Sequence, residues 1–383
     1  ESNFKLNEEI KKKFLHDQVV YNITDKNIVK KKFCSYIGAI SNIVKKIKLI
    51  DKDVTFFQEI GGFTPHWSVY YYAKKNKINH YFIEPSFFNN KFFIIKNKFN
   101  FTIKLNKQLM LTNNHKKIFL KLKNSKEFIS TYHLKYRYNS PIKKIFFLRN
   151  YKRLLEKILF KYIKNQNEEF SYIKAYLFNF IKTIYNYNKL KSHYKNLNYL
   201  NKKKKIIFYP FHVPVDFSLT IRSPKFLNQI RTLDKISKQL DNNYQIVIKE
   251  HPSMIGSISS KKIINLLKKN KKILLLDPYI NSKDIIKFSD SVVTINSKVG
   301  IEALLHNKIV ISLGTSFYQE CPLIHKISSV NKIKKCLNKP NSYDYNEVFR
   351  YLNCILSKSY NGSLFKNDEH NLNIFVKSIS KLK

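Results

Sequence analysis

Val292-Val293-Thr294-Ile295-Asn296-Ser297-Lys298-Val299-Gly300-Ile301-Glu302-Ala303-Leu304-Leu305 is the stretch that decides the fold. A β-branched apolar run breaks into a short polar turn, a glycine follows, and an apolar helix opens with a carboxylate in its first turn. Strand, turn and helix in that order build the nucleotide sites of α/β proteins. Free N–H groups and the positive dipole end at the helix start favour a phosphate. Ser297, Lys298 and Gly300 would surround it, and Glu302 is placed to take ribose hydroxyls. Earlier in the chain Lys249-Glu250-His251-Pro252 closes another apolar strand. Two such strand ends point to a nucleotide or nucleotide-sugar cleft.

The pattern continues outward from these two motifs. Lys202-Lys203-Lys204-Lys205 marks a solvated boundary, after which strands are expected at Ile206–Phe211, Tyr244–Lys249, Lys272–Leu276, Ser291–Ile295 and Ile309–Leu313. Helical patterns separate them. The alternation predicts a doubly wound parallel sheet, and ligands of such sheets sit outside the carboxyl ends of the strands. His212, His251, Asp277 and Ser297 all fall at those ends. Toward the N-terminus, Val54–Phe57 runs into Glu59-Ile60-Gly61-Gly62, an aromatic helix follows around Trp67–Ala73, and His80–Pro85 reads as the next strand. This is a βαβ unit of a first sheet. Between the two, aromatic and aliphatic residues recur among lysines at helical spacing, a stripe that reads as packing. The expected architecture is α/β: two Rossmann-like, doubly wound domains at 1–115 and 202–383 facing a central cleft, with a helical insertion at 116–201.

The chain's 383 residues are enough for two domains, and 43% hydrophobic with 15% aromatic content marks it as folded. The net charge of +45 invites a nucleic-acid reading. Nearly all of that charge is lysine, spread through a chain also rich in Asn, Ile, Phe and Tyr and poor in Gly, which is the imprint of an AT-rich genome. No specific nucleic-acid partner is expected; the charge favours anionic partners by long-range attraction. Cys34, Cys321, Cys336 and Cys354 show no metal spacing, which suits a reducing compartment. Asp51-Lys52-Asp53 precedes a strand instead of ending one, so no metal or other cofactor is expected. No apolar run reaches the ~20 residues that span a bilayer, and no signal peptide opens the chain. The placement read from this is cytoplasmic, with a peripheral association at the cytoplasmic face of the inner membrane. Glu1 in first position suggests a piece of a longer protein.

The loop Phe211–Pro224 concentrates the remaining chemistry. Asp216 is either a helix cap or a catalytic carboxylate; His212, Ser218 and Arg222 accompany it. A carboxylate beside cations and hydroxyls serves as nucleophile or base at neutral pH. Arg222 is read as a bidentate clamp for a substrate carboxylate. His251 is read as donating to a phosphate oxygen, and Lys249 and Lys298 as neutralising phosphate charge.

His212…Asp216-Phe217-Ser218…Arg222-Ser223-Pro224, then Lys249-Glu250-His251-Pro252, then Asp277-Pro278, then Thr294-Ile295…Val299-Gly300-Ile301-Glu302-Ala303, resembles the bacterial capsule and O-antigen polysaccharide biosynthesis proteins. Within these it is most similar to the retaining β-Kdo transferases. The likeness covers about residues 206–320 and extends loosely to Gln58–Phe63 and Ile83-Glu84-Pro85. It implies a two-domain GT-B-type fold, a CMP-Kdo donor, and a glycan or glycolipid acceptor met by Glu59, Gly61, Gly62 and Glu84. It implies that His251, the Ser297–Gly300 turn and Glu302 contact CMP, with cytosine near Asp277, Pro278 and Tyr279. Asp216 is then the catalytic carboxylate, with His251 and Asp277 beside it and His212, Ser218, Arg222, Lys249 and Lys298 on the donor side. CMP-Kdo carries its nucleotide in the β configuration, so a β product needs two inversions through a carboxylate adduct. Related readings are a sialyltransferase, a polyol-phosphate transferase, or a non-catalytic module binding anionic glycan or lipid.

Overall fold

The computed structural model describes residues 8–50, 53–125, 139–165, 172–339 and 344–382. Asp51 and Lys52 lie outside them; Asp53, the last residue of that motif, is exposed just before the first strand.

Two sheets organise the chain. The second is the larger, with β4 (Lys205–Pro210), β5 (Tyr244–Lys249), β6 (Ile273–Leu276), β7 (Ser291–Thr294), β8 (Ile309–Ser312) and β9 (His325–Lys326). Their order is β6-β5-β4-β7-β8-β9, and every neighbouring pair is parallel. Helices Gln229–Lys238, Ser260–Lys269, Ser282–Phe288 and Val299–Leu305 make the crossovers. Strands covered on both faces must be apolar on both faces. Ile206, Ile207, Phe208 and Tyr209 of β4 are accordingly all buried, as is every residue of β7 and β8. The chain winds outward from β4 to β6, returns across β4, and winds outward again through β7 to β9. The β4/β7 boundary is therefore the topological switch point, where a crevice opens at the carboxyl ends.

The first sheet is smaller and mixed. β1 (Thr55–Glu59) pairs in parallel with β2 (Asn79–Pro85) across the helix Thr64–Lys75, giving the expected βαβ unit. β2 then turns back into β3 (Lys91–Lys96), which pairs antiparallel. Trp67, the chain's one tryptophan, is buried on the inner face of that helix and donates its indole N–H to Gly62 O at 2.9 Å. A long helix, Lys26–Lys48, opens at Asp25, whose carboxylate caps Asn27 N, and packs through Val29, Phe33, Ile37 and Val44.

The expected domain boundaries need one correction. Residues beyond Asp344 were read as part of the second domain, but they return to the first. β10 (Tyr360–Asn361) pairs antiparallel with β3, and the helix Tyr345–Ser357 packs on the helix Asn113–Asn124. Tyr351 Oη donates to Ile103 O at 3.0 Å, and Asn353 Nδ2 donates to Met110 O at 2.9 Å. The physical cause is apolar surface left by the smaller sheet: Phe92 and Phe119 are buried with Phe375 and Phe349 of the returning segment packed against them. The insertion is mainly helical among its described residues, with helices Leu148–Ile158 and Ile173–Leu190. Where it ends, Lys195 bridges to the outer edge of β6.

Leu352 is 1% exposed inside the returning helix. Leu352→Ala should cost about 2–5 kcal/mol and speed amide exchange in Lys91–Lys96 and Asn113–Asn124 while the β4–β8 amides stay protected. Exchange that rises first in β7 and β8 would return this segment to the second domain.

Candidate functional site

The crevice at the switch point is built from the residues that follow β4 and β7. His212 lies two residues beyond β4, and Gln229 clamps its backbone from both sides, accepting from His212 N at 2.8 Å and donating to His212 O at 2.9 Å. Its Nε2 accepts from Asn296 N at 3.2 Å. Burial, with His251 nearby, pushes the imidazole down to about 3, so the ring is neutral. His212 thus ties the β4 loop to the β7 turn, and the donor contact read for it is taken up inside the chain. Asn296, which drew no functional reading from sequence, is the other half of that tie. Its Nδ2 donates to Ser218 O at 2.7 Å, Ser223 Oγ at 3.2 Å and Thr315 O at 3.2 Å.

Asp216 caps the short helix Phe217–Thr220, accepting from Ser218 N at 2.8 Å and from Ser218 Oγ. Both donors go to Oδ1 and neither to Oδ2, so the cap orients the carboxylate using one of its oxygens. Ser218 is thereby a partner of Asp216 and its hydroxyl is committed to the cap.

Arg222 does not wait for a substrate carboxylate. Its Nη1 and Nη2 donate to Glu84 Oε1 and Oε2 at 2.8 Å each, and Nη2 also donates to Phe99 O at 3.1 Å. The guanidinium lies over the rings of Phe217 and Phe99, at 4.9 and 5.4 Å. With side chains only 6% and 13% exposed, each charge needs the other. The clamp read for Arg222 and the acceptor contact read for Glu84 are both replaced by a bond between the two domains.

The β5 turn is tied from below. Lys249 is buried and donates to Ile280 O at 2.8 Å; burial lowers its ammonium to about 8, against the pull of Glu302 and Asp277. Glu250 accepts from Tyr194 Oη at 2.7 Å and from Gly256 N at 3.1 Å, and burial pushes its carboxyl up to about 7. These bonds present His251, which is exposed and caps the turn Pro252–Met254 through Ser253. Asp277 Oδ1 accepts from Tyr279 N at 2.8 Å, with Pro278 buried between them and Tyr279 half-exposed.

The β7 turn differs most from its reading. The helix Val299–Leu305 has only seven residues, and the N–H groups at its start are already bonded. Ser297 N reaches Thr294 Oγ1 at 3.1 Å, Val299 N reaches Ser297 Oγ at 3.3 Å, and Gly300 N reaches Ser297 O at 3.0 Å. The phosphate cradle expected from free helix-start amides is therefore closed by the turn itself. Gly300 is needed for packing, since a Cβ there would sit 3.0 Å from Tyr318 Oη, whose hydroxyl donates to Ser297 O at 2.5 Å. Lys298 crosses to the first domain and donates to Pro85 O at 3.2 Å and Ser86 O at 2.5 Å. Glu302 is half-buried; burial raises its carboxyl above the usual range while Lys283, Lys249 and Lys298 oppose it.

The crevice brings carboxylates and ammonium groups within electrostatic range of one another. Asp216, Glu84 and Glu302 are within electrostatic reach of Lys298, Glu302 is within reach of Lys249 and Lys283, and Asp277 is within reach of Lys249. On the other wall, Gly61 and Gly62 make room for the rings of His66 and His16, which any Cβ would strike. That packing role stands where an acceptor contact was read. His16, also unanticipated, is buried and bonds through Nδ1 to Thr220 Oγ1 at 2.8 Å, so the first domain grips the Asp216 helix directly. Glu59 is exposed at the end of the outer strand β1. Among the described residues no His, Cys, Asp and Glu group is arranged to hold a metal. A cavity of about 570 Å³ lies by the amino ends of β4 and β7, between Lys202–Lys205, Phe288 and Asp290, away from these groups.

Residues 146–346, just over half of the chain, match the family model described as capsule polysaccharide biosynthesis protein. Protein FixF of Sinorhizobium fredii (strain NBRC 101917 / NGR234) is 32% identical over 133 residues, which span 34% of this chain and 32% of that protein. The chain thus spans about a third of the length of this curated relative. Among solved structures, Thermosulfurimonas dismutans KpsC, described as a beta Kdo 2,7 transferase, is 16% identical, with 88% of each chain covered and a TM-score of 0.41. Methanocaldococcus jannaschii UDP-GlcNAc 2-epimerase is 14% identical, covering 84% of this chain and 80% of its own, with a TM-score of 0.31.

Two predictions follow from the geometry. Arg222→Met leaves Glu84 as an uncompensated buried carboxylate and should cost about 3–5 kcal/mol in urea unfolding. Adding Glu84→Gln should recover much of that loss; simple additivity of the two losses would mean the pair does not act as a unit. Acid should also loosen the fold. His16, His80 and His306 are lowered to about 4 and His212 to about 3, all by burial first. The unfolded chain takes up protons as pH falls through the ordinary histidine value while the native state does not, so their stabilisation is lost on that side. Glu250, raised to about 7, works the other way with one proton, and Asp17 and Glu302 are raised as well. Four histidines outweigh Glu250 between about pH 6.5 and 5, so the urea midpoint should fall across that range, and more steeply in Glu250→Gln. A flat midpoint would show these rings are not buried neutral.

Proposed function

This chain belongs to the capsule polysaccharide biosynthesis protein family, and on that premise we propose that it is a glycosyltransferase moving Kdo from CMP-β-Kdo to a glycan or glycolipid acceptor with retention. The observation that carries this reading is the placement of Asp216. Its carboxylate stands at the switch-point crevice, oriented through Oδ1 by Ser218, with Lys298 within reach.

The chemistry is a double displacement. Asp216 Oδ2 attacks the anomeric carbon of Kdo as the bond to the CMP phosphate oxygen breaks, and the phosphate leaves with the bonding pair. Lys298 and Lys249 are the cations near that departing charge, and His251 is an exposed donor at the neighbouring strand end. The acceptor hydroxyl then displaces Asp216 from the opposite face and its proton passes to a base, restoring the carboxylate. Two inversions give net retention. The oxocarbenium-like character of each step is stabilised by the carboxylate of Asp216 at the reacting carbon, with Asp277 as a second carboxylate of the same crevice. The nucleotide is proposed to lie over the β5, β6 and β7 ends, near His251, Asp277–Tyr279 and Ser297, with Glu302 toward the ribose. A peripheral position at the inner membrane face is part of the same reading.

Two measurements test it. CMP should raise the melting temperature while UMP, GDP and ADP should not; equal shifts, or none, would remove the cytidine assignment. Asp216→Asn keeps the cap, because Asn caps about as well as Asp, and should melt within a few degrees of the parent chain and still bind CMP. Its transfer from CMP-Kdo should fall by more than about 10³-fold, the scale for losing an essential nucleophile. Normal transfer would leave Asp216 a cap alone. A cytidine shift without Kdo transfer, but with sialic acid or polyol-phosphate transfer, would move the donor within the same reaction class.

A further inference from the structure

The helical insertion carries an apolar stripe that nothing in the described chain covers. No residue of the helix Leu148–Ile158 is buried. Leu148, Tyr151, Leu155, Ile158 and Tyr162 follow one another at spacings of three and four residues, which places them on one face. All five are exposed, Leu148 by 84% and Tyr162 by 70%. The neighbouring helix Ile173–Leu190, which packs on the first, adds Phe178, Ile181 and Tyr185, exposed by 58%, 65% and 58%. A soluble surface rarely leaves a contiguous apolar face of this kind without a use.

Charge identifies what fits it. Between Lys143 and Lys164 the sequence holds eight Lys and Arg residues against Glu156 alone. Eight in 22 residues is nearly twice the chain-wide share of 71 in 383, so compositional bias does not account for it. Several cations lie beside the aromatic rings: Lys161 is 5.5 Å from the Tyr162 ring, Lys182 5.7 Å from Phe178, and Lys189 5.9 Å from Tyr185. Aromatic and aliphatic residues flanked by long cationic stems are the make-up of helices that lie in a bilayer interface, apolar side in the acyl boundary and ammonium groups among anionic headgroups. A second copy of the chain would bring the same cations against these and be repelled. No helix among the described residues is long and apolar enough to cross a membrane.

We propose that the outward face of the helices Leu148–Ile158 and Ile173–Leu190 docks this protein on an anionic lipid bilayer. This deepens the proposed function, since it assigns the surface by which a transferase would reach a membrane-borne acceptor, and it rests on that reading only for its purpose. The binding itself is independent of the donor.

Flotation of the full chain with phosphatidylglycerol-rich and with phosphatidylcholine vesicles tests it. The chain should float with the anionic vesicles, more weakly at high salt, and should bind the neutral ones at least about tenfold less. Leu148→Ser/Leu155→Ser/Tyr162→Ser, all at exposed positions, should lower anionic binding at least about tenfold and leave the CMP melting shift unchanged. Arg149→Glu/Arg153→Glu should do the same through charge and keeps the test alive if the first variant folds poorly. Absence of flotation, equal binding to neutral vesicles, or variants that float like the parent would overturn the proposal. So would a dimer in sedimentation velocity that the serine variant dissociates while vesicle binding is absent, which assigns the face to a second copy. Loss of the CMP shift in the parent chain, with flotation intact, would sink the donor reading and leave this one standing.

Discussion

The fork of Arg222 on Glu84 is the bond around which the two halves are arranged. Glu84 ends the central strand of the first sheet, and Arg222 follows the helix that Asp216 caps in the second. Burying either charge alone would be strongly unfavourable; together, with Phe99 O taking a further donor and two aromatic rings against the guanidinium, they are satisfied. Geometry follows from that. A bidentate pair tolerates little rotation, so the β2 end is set against the Asp216 loop, and two further ties fall into place beside it: His16 on Thr220 and Lys298 on the carbonyls of Pro85 and Ser86. Asn296 then locks the same loop to the β7 turn. The crevice is thus a set of loops whose positions are over-determined before any ligand arrives.

The second sheet was readable because its physics is local. A strand covered on both faces is a continuous apolar run, and the runs of β4 to β8 are bounded by polar residues, glycine or proline. The ends of β4 to β8 came out within a residue or two, and with them the list of residues at the carboxyl edge; the two-residue edge strand β9 is too short to register in the pattern. What those residues bond to was not readable. A polar side chain at a strand end looks the same whether a ligand or a distant part of the chain satisfies it. Arg222 was read as a ligand clamp, and its partner lies 138 positions away. Gly61 and Gly62 were read as an acceptor turn, and the rings that require them include His16, far upstream. The one usable hint was composition: Arg222 is one of six arginines among 65 lysines, and its planar fork suits a bidentate carboxylate partner where a lysine would not.

The return of the C-terminal segment was illegible for a different reason. β10 is two residues long, too short for any alternation to register. The helix Tyr345–Ser357 has an apolar face, and helical periodicity says that a face must be covered without saying by what. The answer depends on which surface elsewhere remains open, and that was fixed by the antiparallel turn of β3, which closes the first sheet early and leaves Phe92 and Phe119 to be covered.

For Asp216 the roles of cap and catalytic carboxylate are compatible in this geometry. An N-cap needs one acceptor oxygen, and Ser218 supplies both of its donors to Oδ1. A nucleophile also needs one oxygen, held still. An exposed, freely rotating aspartate would have to surrender rotamer freedom at each encounter with a sugar; a capping aspartate has surrendered it in folding. The same bonds that make Asp216 look structural therefore describe how a carboxylate at this crevice would be pre-oriented, with Thr220, His16 and the Arg222–Glu84 fork holding the short helix it caps. The cap is what a catalytic reading of this residue requires.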